Sequence, residues 1–321
     1  MSEKNNSNEI KITRVYDAPV KLVWDAWTDP EKVKKWWGPR GFTLTHKSKD
    51  LRAGGHWSYT MHGPDGKDWP NKTVYYEVIP FQKLVYDHGG NDDQPPMFRV
   101  TALFSEVQGN KTKLEMTMAF PSAEIARESR KFIKQASGDS TWDRLAEYLE
   151  KESTGKEIFT INRSFDAPLN LMFKVWTEPA HFSKWLAPTG FNMQFIGEAD
   201  IRTGGKTFYC MSNDHGMKMY GRAQYIEVKS PDTLIYTQQF TDEYNKETTR
   251  HPMAPTWPAT MKTTVKFSDE GNNQTRVTIT WEIAGDYTAE ELNTFIAGRA
   301  GMTMGWTGSF DKLEDYLKTQ Q

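Results

Sequence analysis

The strongest constraint on this chain is that its opening segment recurs. Residues 12–42 read ITRVYDAPVKLVWDAWTDPEKVKKWWGPRGF and residues 161–191 read INRSFDAPLNLMFKVWTEPAHFSKWLAPTGF; the two align without a gap and agree at 14 of 31 positions. A match of this length means two copies of one domain. The period, about 150 residues, is far too long for a solenoid or propeller unit. A chain of 321 residues has length for two ordinary domains with a core each. The short segment 152–156, with its Ser, Thr and Gly, is the expected linker, which puts the domains at 1–153 and 154–321.

Each copy shows the same order of local signals. In the first, residues 9–16 read as a strand, and Asp17-Ala18-Pro19 ends it and opens a helix, with Asp17 or Ala18 near the cap and Pro19 at the first helical position. Leu22, Val23, Ala26 and Trp27 recur at helical spacing. Asp29-Pro30 starts a second short helix, and Gly38-Pro39 stops it near Trp37. Alternating segments follow at 43–51, 56–61, 73–79, 84–87, 98–104 and 113–120. Phe98, Val100, Ala102 and Phe104 share one face, as do Leu114, Met116, Met118 and Phe120, the period of a sheet with one buried side. A long helix is expected over 122–151, with Ile125, Ser129, Phe132, Ile133, Ala136, Leu145 and Leu149 along one side. The second copy repeats the order, and Thr288-Ala289-Glu290-Glu291 is a capping box opening its last helix. The pattern is α+β: in each copy an antiparallel sheet of about six or seven strands, two short helices and a long C-terminal helix.

Composition narrows the function classes. The formal net charge of −2 and the scattered basic residues give no reason to expect a nucleic acid. Cys210 is the only cysteine, which excludes an internal disulfide and fits a reducing compartment. The polar first nine residues hold no apolar core of a signal peptide, and no run of about 18 apolar residues offers a membrane span. The expectation is a soluble, cytoplasmic protein. Twelve Trp, 13 Tyr, 17 Phe and 14 Met are more large soft side chains than two plain cores need, and such residues also line small-molecule pockets.

The motif VWDAWTDPEKVKKWWGP, with Arg52-Ala53-Gly54-Gly55 and Arg202-Thr203-Gly204-Gly205, resembles the family of activator of heat-shock protein 90 ATPase homologues. Glu77-Val78-Ile79-Pro80 with Leu84-Val85-Tyr86 matches as well, as does Glu227-Val228 with Pro231, Leu234, Ile235 and Tyr236. The closing Gly305-Trp306, Leu313 and Tyr316-Leu317 of the second copy fit too; the first copy has Ser137-Gly138 there, with Trp142 one turn on. The resemblance implies a START-like, birch-pollen-allergen-like helix-grip fold, a curved sheet gripping a long helix, often around an apolar cavity. That superfamily includes carriers, cyclases and a co-chaperone domain, so the activity must come from the site.

No Walker loop, GxGxxG after a strand, HExxH, GxSxG or CxxC is present, and no cofactor or metal is expected. His46, His56 and His62 form the one histidine cluster, read as exposed strand or loop residues because the second copy has Lys206 and Ser212 at the matching places. Glu77 and Glu227, beside Tyr75 and Tyr225, are the weak acid–base candidates: a carboxylate turned into an apolar cavity would have a raised pKa. Trp57, Tyr59 and Met61 share a strand face, as do Tyr209 and Met211. With Phe98, Met116, Trp281, Met302 and Trp306 they are the candidate lining of an open cavity or the filling of a closed core. Gly298, Gly301, Gly305 and Gly308 mark one face of the last helix, for close packing or for ligand volume. The long loop from Thr241, with Met253 and Trp257, is the candidate gate.

Three classes of function follow. A small apolar molecule bound between sheet and C-terminal helix leads, with the second domain the better candidate. A cyclase- or hydrolase-like enzyme using Glu227 and a cavity Tyr is the alternative. A chaperone contact is the third; the first repeat begins by about Glu9, which leaves no separate domain ahead of it like that of the co-chaperones.

Overall fold

The computed structural model describes residues 7–135 and 140–320. The chain divides into two compact units, 1–155 and 156–321. In the first, β1 (Glu9–Tyr16) leads into α1 (Val20–Thr28) and α2 (Pro30–Val33). Then come β2 (Thr43–Lys49), β3 (His56–His62), β4 (Asp68–Ile79), β5 (Lys83–Gly90), β6 (Phe98–Val107) and β7 (Lys111–Ala119), followed by α3 (Ala123–Gln135) and α4 (Ser140–Thr154). The second unit repeats this with β8 (Ile158–Phe165), α5 (Leu169–Thr177), α6 (Pro179–Trp185), β9 (Phe191–Phe195) and β10 (Lys206–Asn213). It continues with β11 (Lys218–Lys229), β12 (Thr233–Thr241), β13 (Met261–Gly271), β14 (Gln274–Ile283), α7 (Ala289–Ala297) and α8 (Arg299–Lys318).

Among the described residues each unit holds one seven-stranded antiparallel sheet, ordered β1-β7-β6-β5-β4-β3-β2 and β8-β14-β13-β12-β11-β10-β9. The fold is therefore two tandem α+β domains, each with a meander whose last strand takes the first as its neighbour. Alternation explains the layering. Thr112, Leu114, Met116 and Met118 on β7 are buried while their neighbours are half-buried, so one sheet face closes on the helices and the other meets water.

The residues shared by the two copies do the joining. Thr112 Oγ1 donates to the Ala18 carbonyl at 2.7 Å, and Thr275 Oγ1 to that of Ala167 at 2.8 Å, which pins each Asp-Ala-Pro turn to the sheet. Trp36 Nε1 donates to Ala26 O at 2.9 Å and Trp185 Nε1 to Val175 O at 3.1 Å, tying the short helices together. Gly41 and Gly190 sit at φ +86° and +82°, a region costly for a residue with Cβ. Within the repeated motif, the shared Trp36 and Trp185 indoles and the Ala18 and Ala167 carbonyls are thus spent on internal bonds.

Several local expectations change. Pro19 is the N-cap of α1 with no side-chain cap bond, so the helix starts one residue later than expected. Asp29 does cap α2, accepting from Glu31 N at 2.8 Å, but that helix stops at Val33. On α3, Ile125 is 45% exposed and Ala126 is the buried residue, so the apolar stripe is rotated from the expected one. The side chains of Phe132 and Ile133, with Ala136 and Ser137-Gly138, lie outside the described residues. In the second unit the last helix is two, α7 opened by the Thr288–Glu291 capping box and α8 beginning after Gly298.

The glycine stripe is also resolved position by position. A Cβ on Gly298 would meet the Trp257 ring at 3.0 Å, and one on Gly308 would meet Thr189 Oγ1 at 2.5 Å and Thr189 N at 2.8 Å. On Gly305 the nearest atom is Pro188 Cγ at 3.8 Å, and around Gly301 there is open space. Close approach explains two of the four.

Candidate functional site

The inner face of the second sheet is aromatic. Trp306 of α8 stacks on Trp176 of α5 (centroids 6.1 Å, planes 16° apart), meets Trp281 of β14 edge-on at 5.9 Å and touches Phe310 at 5.7 Å. Trp306 and Met302 are buried in the core. Tyr209, Met211, Trp257 and Trp281 pack against that core yet keep accessible surface. Tyr209 lies across β11 where Gly221 has no side chain; a Cβ there would fall 2.5 Å from its hydroxyl oxygen. Desolvation raises that hydroxyl to about 12, so it is a neutral donor at physiological pH. The Trp281 Nε1 atom is buried with no hydrogen-bond partner.

One wall of this region comes from the loop after β12. Phe240, on the inner face of β12, meets His251 edge-on at 5.0 Å; His251 contacts Trp257 at 6.3 Å, and Trp257 contacts Phe295 of α7 at 6.1 Å. Burial lowers the His251 pKa. Trp257 thus bridges loop and helix. Met253 is 69% exposed, so it is not part of this wall: the turn 251–254, closed by Ala254 N to His251 O at 3.0 Å, carries it outward.

In the first domain Trp142 of α4 stacks on Trp27 (5.6 Å, 19°), as Trp306 does on Trp176. Aligned on the shared helix ending, Trp142 matches Phe310; its larger ring takes over the stacking contact that the second copy makes one turn earlier. Trp57 and Tyr59 are buried and stacked at 4.0 Å, and Trp37 meets Trp57 edge-on at 5.6 Å. Met116 is buried; Met61 and Phe98 are partly buried against the same core. Lys49 Nζ lies 4.4 Å from the Trp57 ring and donates to Trp27 O at 3.2 Å. Burial lowers its pKa to about 7.

The carboxylate candidates face the other way. Register shifts between Tyr75 and Glu77 and between Tyr225 and Glu227 place a bulge in each copy. The extra residues, Tyr76 and Ile226, are exposed. A bulge reverses side-chain parity, so Val78 and Val228 turn to the core while Glu77 pairs with Lys83 at 2.7 Å on the outer face. The histidines are taken up locally. His46 Nδ1 accepts from Trp57 Nε1 at 3.2 Å, His56 Nε2 is 3.3 Å from Ser48 Oγ, and His62 spans Thr45 at 2.7 Å and Asp68 at 2.6 Å. Among the described residues no group of three or more His, Cys, Asp or Glu side chains is placed to hold a metal.

The profile of the family described as Activator of Hsp90 ATPase homolog 1-like protein matches residues 17–150 and again 166–318. The chain belongs to this family. Similar solved structures of family size include Protein NE0264 from Nitrosomonas europaea, at 21% identity over 48% of this chain and 99% of that one (TM-score 0.42). Protein Ms6760 from Mycobacterium smegmatis is 24% identical over 46% of this chain and 93% of that one (TM-score 0.42). The di-domain ARO/CYC BexL from the BE-7585A biosynthetic pathway spans 96% of this chain and 98% of its own at 13% identity (TM-score 0.38). A search of curated proteins returned no match.

Within this Hsp90-activator-like pair of domains, six tyrosines that the sequence names singly or in pairs form one internal repeat. Tyr59, Tyr75 and Tyr86 recur as Tyr209, Tyr225 and Tyr236, each 150 positions on. Burial drives every one of these hydroxyls above its ordinary pKa. The constant offset was the available signal. The outer face of the second sheet also carries a depression of about 500 Å³, lined among others by Lys206, Phe208, Arg222, Gln224 and Gln239. Arg222 there is held by Gln239 at 2.8 Å and Thr248 at 2.7 Å.

Proposed function

We propose that the chain is a binding protein for a small apolar or aromatic molecule, held in the second domain between the inner sheet face and α7–α8. The observation that supports this reading is the state of Tyr209 and Trp281. Both face the apolar interior and pack against its core, both keep accessible surface, and the Trp281 N–H has no partner. A side chain packed solid has no exposed surface, and a buried N–H without a partner costs free energy that an acceptor on a ligand would recover. The ligand class is an apolar body with at least one acceptor oxygen. Gly221 gives the Tyr209 ring its place, and the Phe240–His251–Trp257 wall closes one side.

The enzyme alternative loses its residues, since both bulges turn Glu77 and Glu227 away from the inner face. The test is titration of the full chain with 6-propionyl-2-(dimethylamino)naphthalene, an apolar probe that carries a ketone acceptor oxygen, read by energy transfer from tryptophan. Saturable binding is expected, weakened about tenfold or more in Tyr209→Leu and Trp281→Phe, the loss of roughly one good contact. Absence of saturable binding, or affinity indifferent to both substitutions, overturns the reading.

A further inference from the structure

The depression on the outer face of the second sheet holds two cations and no carboxylate bonded to either. Lys206 on β10 and Arg222 on β11 both line it. Lys206 stands opposite Gln224 and Phe208 opposite Arg222, so the two cations are diagonal neighbours on one face, ~7–8 Å apart at the backbone. Arg222 is half-buried and held from two sides. Its Nε donates to Gln239 Oε1 at 2.8 Å and its Nη2 to Thr248 Oγ1 at 2.7 Å. Gln239 Nε2 in turn donates to Thr260 Oγ1 at 2.7 Å, which fixes the amide with its oxygen toward the guanidinium. These bonds use two of the five N–H donors, both on neutral oxygens. Among the described residues the Lys206 ammonium makes no ion pair or hydrogen bond, and Glu198, which also lines the depression, pairs with neither cation.

The first domain meets the same situation internally. At the place of Arg222 it has Lys72, whose Nζ lies 2.5 Å from Asp92. The second copy has Asp242 at the place of Asp92, but that carboxylate is turned into its own loop, where Oδ1 accepts from the backbone N–H of Tyr244 at 3.2 Å and of Lys246 at 2.8 Å. The second copy thus lacks the counter-charge and has an arginine for the lysine, and the planar guanidinium fork fits a carboxylate better than an ammonium does. Beside it Phe208 stands where the first copy has Ser58. The Phe208 ring is half-buried and stacks on Tyr220 (centroids 6.2 Å, planes 25° apart), and Ile196 lines the same depression. A volume of about 500 Å³ is in the range of small-molecule sites.

We propose that the outer face of the second domain binds a small aromatic carboxylate, its carboxylate bridging Arg222 and Lys206 and its ring against Phe208 and Ile196. The ligand's carboxylate does there what Asp92 does in the first copy. The site lies on the opposite side of the sheet from Tyr209 and Trp281 and does not rest on the reading of the inner face.

The test is calorimetric titration of the full chain with 2-naphthoate. Saturable binding is expected at low salt, weakening as salt rises because exposed charges are screened. Lys206→Ala and Arg222→Gln are each expected to lower the affinity about tenfold or more, the scale of a charge-assisted hydrogen bond, and the uncharged 2-naphthamide is expected to bind more weakly by a similar factor. Gln239→Glu supplies the missing carboxylate from within and is expected to suppress binding as well. The Lys206 ammonium has no partner to lose, so its variant decides the matter even if Arg222→Gln loosens the loop it holds. Tyr209→Leu is expected to leave 2-naphthoate binding unchanged. No saturable binding, or an affinity indifferent to Lys206→Ala and Arg222→Gln, overturns the inference. Binding lost in Tyr209→Leu and kept in both cation variants also overturns it and assigns the ligand to the inner face. Binding that depends on both cations stands even if the apolar ketone probe finds no site on the inner face.

Discussion

Arg40 and Glu147 make a two-pronged ion pair, at 2.6 and 2.9 Å, with side chains only 8% and 6% exposed. It ties the loop after α2 to α4 in the first domain. The second domain has Thr189 and Asp315 at the corresponding places and relies on Lys312, which donates to the carbonyls of Pro188 and Phe191. Truncating one member of a buried pair strands the other's charge, so Glu147→Ala is expected to cost about 3–5 kcal/mol in urea unfolding. The double replacement Arg40→Met with Glu147→Met is expected to recover most of that loss, since an apolar pair of similar volume carries no desolvation penalty. His88 gives a second residue-scale test. Its folded pKa of about 4 lies below the ordinary 6.5, so between those values the unfolded chain binds more protons. Stability therefore falls as pH drops from 6.5 to 4, by on the order of 3 kcal/mol when the window is crossed in full. His88→Phe is expected to flatten that slope in a series of melts across the window.

At the scale of elements, α8 shows that the same residue type at helical spacing can serve opposite ends. Gly308 packs against the backbone of Thr189, while Gly301 has open space around it. Alanine is favoured over glycine in a helix by about 1 kcal/mol. Gly301→Ala is thus expected to raise stability by up to about 1 kcal/mol. Gly308→Ala must displace backbone atoms and is expected to lower it by about 1–3 kcal/mol. Equal signs in a pair of denaturant titrations would contradict this reading of the helix. The strands make a related point. The period of two in residues 98–104 and 113–120 located β6 and β7 to within a few residues, and the capping box located α7. Neither bulge was legible, because Tyr76 and Ile226 are ordinary strand residues, and it is the mismatch with β5 and β12 that makes them bulge. That one extra residue per copy is what carried Glu77 and Glu227 off the inner face.

For the molecule as a whole, two domains of one ancestry have filled their cores differently. In both, a tryptophan from the last helix stacks on the tryptophan of the first helix, yet Trp142 and Trp306 come from different turns. Each is buried within its own core cluster. Trp142→Ala and Trp306→Ala are expected to cost about 3–5 kcal/mol each, as large-to-small core changes do. Hydrogen exchange is expected to show the loss within 9–154 for the first and within 158–318 for the second. Loss of protection spread evenly over the chain in either variant would overturn the view of two separately packed cores.

What the amino-acid order determined by itself was whatever depends on neighbours along the chain. The 149-residue echo between residues 12–42 and 161–191 announced two copies, alternation announced a half-buried sheet, and the capping box placed the start of α7, whereas the start of α1, the end of α2 and the break at Gly298 differed from the local signals. No helix in the described residues is long and apolar enough to cross a membrane, as hydropathy had indicated. The candidate sites were legible only as residue types. Tyr209, Trp281 and Trp306 were singled out for their aromatic character, but which of them would keep accessible surface depended on Gly221, on the loop that brings Trp257 to α7, and on the turn that takes Met253 outward. Arg222 was passed over because nothing beside it in sequence marks it. Its partners Gln239 and Thr248 lie on the next strand and in the loop beyond, and only the tertiary structure brings the three together. Side-chain chemistry is local, whereas burial, face and partnership are set by contacts between segments far apart in the chain, and those the tertiary structure alone decides.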